Sequence, residues 1–168
     1  GNTYSTVAIG DQLWMAENLK VTHYNNGDEI PNYTDNNNQW NWVCGSSNDG
    51  GDAYAAASWA GDSTLVELYG NYYNWCAVDD DREVCPEGWH VPSEEDFFTL
   101  ELFLGVPEED LNLYDFGGGA YPRGTNQGSM TAGHAELWQN GALEYNSEFG
   151  ALGYDVIPGG VKTPQGGI

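Results

Sequence analysis

Carboxylates are the reactive groups this sequence supplies in bulk: 26 Asp and Glu stand against 4 Lys and Arg, a net charge of −22 over 168 residues. Two clusters offer the oxygen ligands that calcium takes. One is Asp79, Asp80 and Asp81; the other is Asn48-Asp49-Gly50-Gly51-Asp52, with Asp49 and Asp52 as ligands. Neither follows the spaced EF-hand loop, and three adjacent carboxylates converge on one ion only through a tight turn. They read first as solvated acidic loops, with structural calcium as the alternative; no other cofactor is expected. His23, His90 and His134 are isolated and lack zinc-site spacing. His90, between Trp89 and Val91, reads as a core residue. No G-x-S-x-G elbow is present, and Gly117-Gly118-Gly119 lacks the Lys of a phosphate-binding loop. With so many acids, a carboxylate pair at glycosidase spacing arises by default and carries no information.

Aromatic rings are the second chemical resource, with 7 Trp and 11 Tyr. Ring faces stack on sugar C–H bonds while acids and amides take the hydroxyls. Trp40, Trp42, Tyr54 and Trp59, in the irregular stretch 31–64, are the ligand-binding candidates. Three cysteines, Cys44, Cys76 and Cys85, allow one bridge and one free thiol. Cys76 with Cys85 would staple a short loop, and Cys44 with Cys85 is the main alternative.

The charge balance excludes ordinary nucleic-acid binding, which needs cations to displace phosphate counterions. It also argues against docking on anionic lipid, and no apolar run is long enough to span a bilayer. Disorder is opposed by a 40% hydrophobic and 14% aromatic composition. The length suits a single domain over 1–168. The acidic, Lys-poor surface favours an exported chain, and Gly at position 1 fits a processed or trimmed start.

The elements that must position these groups are short. Residues 3–9 alternate as a strand, Gly10-Asp11 is a hairpin turn, and Gln12–Leu19 resumes with Leu13, Trp14, Met15 and Leu19 as buried candidates. A long structured loop is expected over 31–64. The aromatic block 69–78 is open to helix or strand, with a short helix preferred. The clearest helix follows Pro92: Ser93 is its N-cap, Glu94, Glu95 and Asp96 suit its dipole, and Ser93-x-x-Asp96 approximates a capping box. Phe97, Leu100 and Leu104 share one face, and Gly105 ends it. Residues 108–110 open a further helical turn, and 115–135 are read as irregular. Trp138 and Phe149 lie in strand candidates, and Tyr154–Ile157 reads as a strand.

Three blocks, Ile9-Gly10-Asp11-Gln12-Leu13-Trp14-Met15-Ala16-Glu17-Asn18-Leu19, Tyr69-Gly70-Asn71-Tyr72-Tyr73-Asn74-Trp75 and Cys85-Pro86-Glu87-Gly88-Trp89-His90-Val91-Pro92-Ser93, resemble the Fibrobacter succinogenes major paralogous domain family. Tyr154 to Gly160 resembles its later Pro-Gly-Gly block. The resemblance implies an α+β, C-type-lectin-like fold of short twisted antiparallel sheets, one or two helices and long structured loops, shared with formylglycine-generating enzymes. It implies secretion or cell-surface display. Those enzymes use cysteines late in the chain, and none follows Cys85 here. The blocks read as scaffold: Gly10, Gly70 and Gly88 at turns or close approaches, and Trp14, Trp75 and Trp89, with His90 and Phe97, as a central packing group. Family members continue past the Pro-Gly-Gly block to a final strand. Either a sheet edge is open here to strand addition from another copy, or the sequence is part of a longer protein.

The leading expectation is a non-catalytic extracellular or cell-surface assembly module, pairing with itself into a fibre or with another surface protein. The alternatives are a glycan-binding, adhesin-like domain and, least supported, a hydrolase or a relative of the formylglycine generators.

Overall fold

The computed structural model describes residues 1–32, 54–56, 63–113 and 124–159. The architecture is mixed α+β. Strands β1 (Thr6–Ile9) and β2 (Gln12–Met15) form one antiparallel hairpin, and β3 (Tyr54–Ala56) pairs antiparallel with β4 (Asn71–Tyr73). The helices are α1 (Ser63–Tyr69), α2 (Trp75–Val78), α3 (Glu94–Phe103) and α4 (Gln127–Thr131), with 3-10 turns at Glu108–Asp110 and Ala135–Leu137. No helix among the described residues is long and apolar enough to cross a membrane. The chain divides into two compact units. The first comprises Gly1–Thr3, Asn18–Val91 and Gly159–Ile168, and the second Tyr4–Glu17 and Pro92–Pro158.

In the second unit, Gly10 at φ +59 and Asp11 with negative φ make a turn with Gly first, the arrangement that matches strand twist in a two-residue hairpin. The register is Thr6↔Met15, Val7↔Trp14, Ala8↔Leu13, Ile9↔Gln12. Val7, Ile9 and Trp14 therefore share one face, and Thr6, Ala8 and Leu13 the other. The inner face packs on Leu100 of α3. Leu13 is 58% exposed, which corrects its reading as a buried residue: alternation puts it opposite Trp14. Helix α3 begins with a complete capping box. Ser93 Oγ accepts from Asp96 N, and Asp96 Oδ2 accepts from Ser93 N at 2.8 Å. It ends in a Schellman motif, with Gly105 N donating to Leu102 O and Val106 N to Glu101 O.

Tyr154–Ile157 is not a strand. Val156 N donates to Thr131 O and Leu152 N to Met130 O, so this segment satisfies the carbonyls that end α4, leaving only a bridge between Ala132 and Val156. Trp138 and Phe149 also lie outside any strand; the Trp138 indole N–H donates to Gly133 O at 2.8 Å. Residues 127–131, read as irregular, are α4.

In the first unit the core is Tyr24, Ile30, Ala77, Val84 and Cys85, with Leu19, Val21, Tyr73 and Trp89 packed against it. The aromatic block is both strand and helix: β4 runs into α2 through Asn74, whose buried side chain caps Ala77 N at 3.0 Å. The block meets the segment after β2 closely. Asn71 N donates to Leu19 O, Asn18 Nδ2 to Tyr69 O, and Tyr73 OH to Val21 O. A β-carbon on Gly70 (φ +68) would lie 2.6 Å from Leu19 O, so only glycine fits there.

Candidate functional site

The second unit presents the most developed surface, built on the hairpin and α3. Trp14 is 6% exposed and lies between Phe97 (ring centroids 5.6 Å apart) and Tyr154 (5.4 Å). Gln12 Nε2 donates to Asp96 O at 3.0 Å, fastening β2 to the start of α3. Burial pushes the Tyr154 phenol up to about 12, so it stays neutral through the physiological range. Phe97 covers Trp14 yet remains 45% exposed, and Phe103 covers Gly10 while 60% exposed. Phe97 is thus a lid on the core and not part of its interior.

The outer side of the hairpin has different chemistry. Ser5 O accepts from Ala16 N, which sets the ladder's parity. With the observed register, Ser5, Val7 and Ile9 bond across to β2, while the backbone groups of Thr6 and Ala8 point away from it. On β2 the same applies to Leu13 and Met15. No third strand joins either edge among the described residues. The outer face carries Thr6, Ala8 and Leu13, uncharged and exposed in a chain of −22.

The acidic loop resolves into an ion-paired turn. Arg82 makes a bidentate pair with Asp80, Nε to Oδ1 and Nη2 to Oδ2 both at 2.7 Å. Its Nη1 lies 3.3 Å from Asp28 Oδ2, and its guanidinium stacks 4.1 Å above the Tyr24 ring. Asn25 N bonds the carbonyls of Arg82 and Glu83, joining the two turns. Arg82 holds the Asp80 carboxyl below its usual range; for Asp28 the Asn26 amide acts first and Arg82 second. Asp80 is therefore committed to a cation of the protein itself. Asp79 and Asp81 are exposed, and among the described residues no group of three or more His, Cys, Asp or Glu is placed to hold a metal ion. Asp49 and Asp52 lie outside the described residues.

Trp75 is 65% exposed, which corrects its placement in the core. It opens α2, where Asn74 and Ala77 take the inward positions. Trp14 belongs to the core of the second unit, Trp89 packs on that of the first, and Trp75 faces solvent. His90 is exposed as well, contrary to its core reading. Asp79 follows Trp75 by four residues, donates its N–H to Trp75 O, and is exposed. Trp40, Trp42 and Trp59 lie outside the described residues; Tyr54 pairs in register with Tyr73 in the small sheet.

Cys76 is disulfide-bonded and Cys85 is a free, buried thiol, so neither pairing drawn through Cys85 is formed. Cys44 lies outside the described residues. Burial, with Glu83 second, pushes the Cys85 thiol up, which makes it a poor nucleophile. His134 Nδ1 lies 3.2 Å from Glu136 Oε1, an exposed pair next to the Ala135–Leu137 turn.

Sequence reasoning missed two features. Arg82 is one of only 4 cations and follows three aspartates, a signal for the ion pair that was available. The contact of Phe103 with Gly10 spans distant positions and leaves no local trace.

No curated protein and no solved structure matches the chain. The family model of the Fibrobacter succinogenes major domain (Fib_succ_major) matches residues 7–167, nearly the whole chain. The chain therefore belongs to the Fibrobacter succinogenes major domain family.

Proposed function

We propose that this chain is a non-catalytic extracellular or cell-surface assembly module, of C-type-lectin-like fold, that associates with copies of itself through strand pairing. The observation that carries this reading is the β1–β2 hairpin. Its ladder ends at two strands among the described residues, its outer face is uncharged, and Leu13 is 58% exposed there. Natural proteins blunt such edges with Lys, Pro or bulges; none of these occurs between Thr3 and Ala16. The Cys76 bridge supports an oxidising compartment. The non-catalytic part draws support from acidity. A glycosidase acid needs a raised carboxyl pKa, and the carboxyls of Asp28, Asp80 and Glu136 are instead held below their ordinary range. Sedimentation of the chain over a concentration series tests the reading. Species above 18.4 kDa that grow with concentration support it, and a monomer throughout refutes it.

A second reading, glycan binding, is favoured by Trp75. Its exposed ring and the carboxylate of Asp79, the residue that caps the C-terminal end of α2 four positions on, would supply a stacking face and a hydroxyl acceptor. A glycan array with and without calcium, run beside Trp75→Ala, decides it. Binding lost in the variant supports this reading, and no binding in either condition removes it.

A further inference from the structure

We propose that the outer edge of β1, and not that of β2, is the pairing edge, and that β1 of a second copy occupies it in antiparallel alignment about a two-fold axis. The inference rests on the self-association reading and specifies its site. The hairpin parity leaves the N–H and C=O of Thr6 and Ala8 directed outward, and no hydrogen bond takes them among the described residues. Both residues are exposed. Placing Thr6 and Ala8 opposite Ala8 and Thr6 of the second copy closes about four backbone hydrogen bonds. The two-fold makes the contact self-complementary, so it closes at a dimer.

Charge selects the partner and the edge. Residues 2–10, Asn-Thr-Tyr-Ser-Thr-Val-Ala-Ile-Gly, contain no Asp, Glu, Lys, Arg or His, in a chain with 26 acids. Two copies of net charge −22 meet with least repulsion along such a strip. Asp11 immediately precedes β2, and an antiparallel β2 pair would bring the Asp11 carboxylates of both copies to one short seam, whereas the Glu17 carboxylate is held by Ser5 N at 2.7 Å. Thr6 and Ala8 are also small, so a neighbouring strand approaches them without displacing a side chain, whereas Leu13 projects from β2.

The test substitutes proline on each edge in the full chain. Ala8→Pro removes an outward N–H and spares the ladder to β2; Leu13→Pro does the same on the other strand. Sedimentation equilibrium should show the dimer dissociation constant raised by about tenfold or more in Ala8→Pro and little changed in Leu13→Pro. Near-UV circular dichroism from buried Trp14 reports whether each variant folds. If Ala8→Pro does not, Ala8→Glu, which sets like charges across the two-fold, takes its place with the same expected loss. Weakening by Leu13→Pro alone, by both equally or by neither overturns the β1 assignment while leaving self-association standing. A wild-type chain that stays monomeric at every concentration and salt overturns the self-association reading itself.

Discussion

The ring of Phe103 lies against Gly10: a β-carbon on Gly10 would stand 2.9 Å from Phe103 Cδ2. The end of α3 thereby sits on the hairpin turn, as Gln12 and Asp96 fasten the helix start to β2. Gly10 is favoured by its φ of +59, and the ring leaves a β-carbon there no room unless it moves. Gly10→Ala should cost about 1–3 kcal/mol, chiefly from the positive φ. Phe103, 60% exposed, can swing aside, so Phe103→Ala should cost less. Urea denaturation of both variants checks the order, and a larger loss in Phe103→Ala would show that packing, not backbone conformation, dominates the turn.

Arg82 joins Asp80, Asp28 and Tyr24, and its removal should leave a pH signature. A carboxyl whose folded pKa is depressed contributes stability above its unfolded value and loses it as pH falls through the folded one. Asp28 and Asp80 are both lowered from 3.8. The gap in urea midpoint between wild type and Arg82→Ala should be full above pH 3.8 and shrink below it. What remains in acid is the stacking on Tyr24, about 0.5–1 kcal/mol. A gap unchanged by acid would mean the ion pairs contribute nothing.

Cys85 should be the thiol that alkylates without reductant, and only slowly in the native state because it is buried and its pKa is raised. Unfolding in denaturant without reductant should label Cys85 and leave Cys76 unmodified. Peptide mass mapping reads both sites; label on Cys76 would contradict the bridge.

Association between copies of charge −22 should tighten as salt rises, because the Debye length shortens from about 30 Å at 0.01 M to about 8 Å at 0.15 M. Light scattering at constant protein concentration checks this. Weaker association in salt would instead indicate an ion-paired contact.

The hairpin and α3 were legible because their signals are local: alternation with Gly10-Asp11 for one, Ser93 with Asp96 for the other. Inside and outside were less legible. Residue type gave Trp75 to the core, yet the side of α2 that turns inward is set by the Asn74 cap and Ala77, and this leaves the large ring in water. Alternation placed Trp14 inward and thereby Leu13 outward, a consequence that hydrophobicity alone obscures. Tyr154–Ile157 has strand composition, but the Val156 N–H is claimed by Thr131 O at the end of α4 and its carbonyl by Gly133 N, a contact no local pattern announces. Of the candidate surface, the uncharged strip of β1 was visible as composition; its exposure and the direction of its backbone groups required the register.

The most direct measurement is amide exchange at Thr6 and Ala8 in dilute and in concentrated protein. Self-association through β1 predicts that both amides exchange freely when dilute and become protected as concentration rises, while Leu13 and Met15 stay unchanged. Equal exchange of Thr6 and Ala8 at both concentrations, in a sample shown by scattering to have associated, would contradict it.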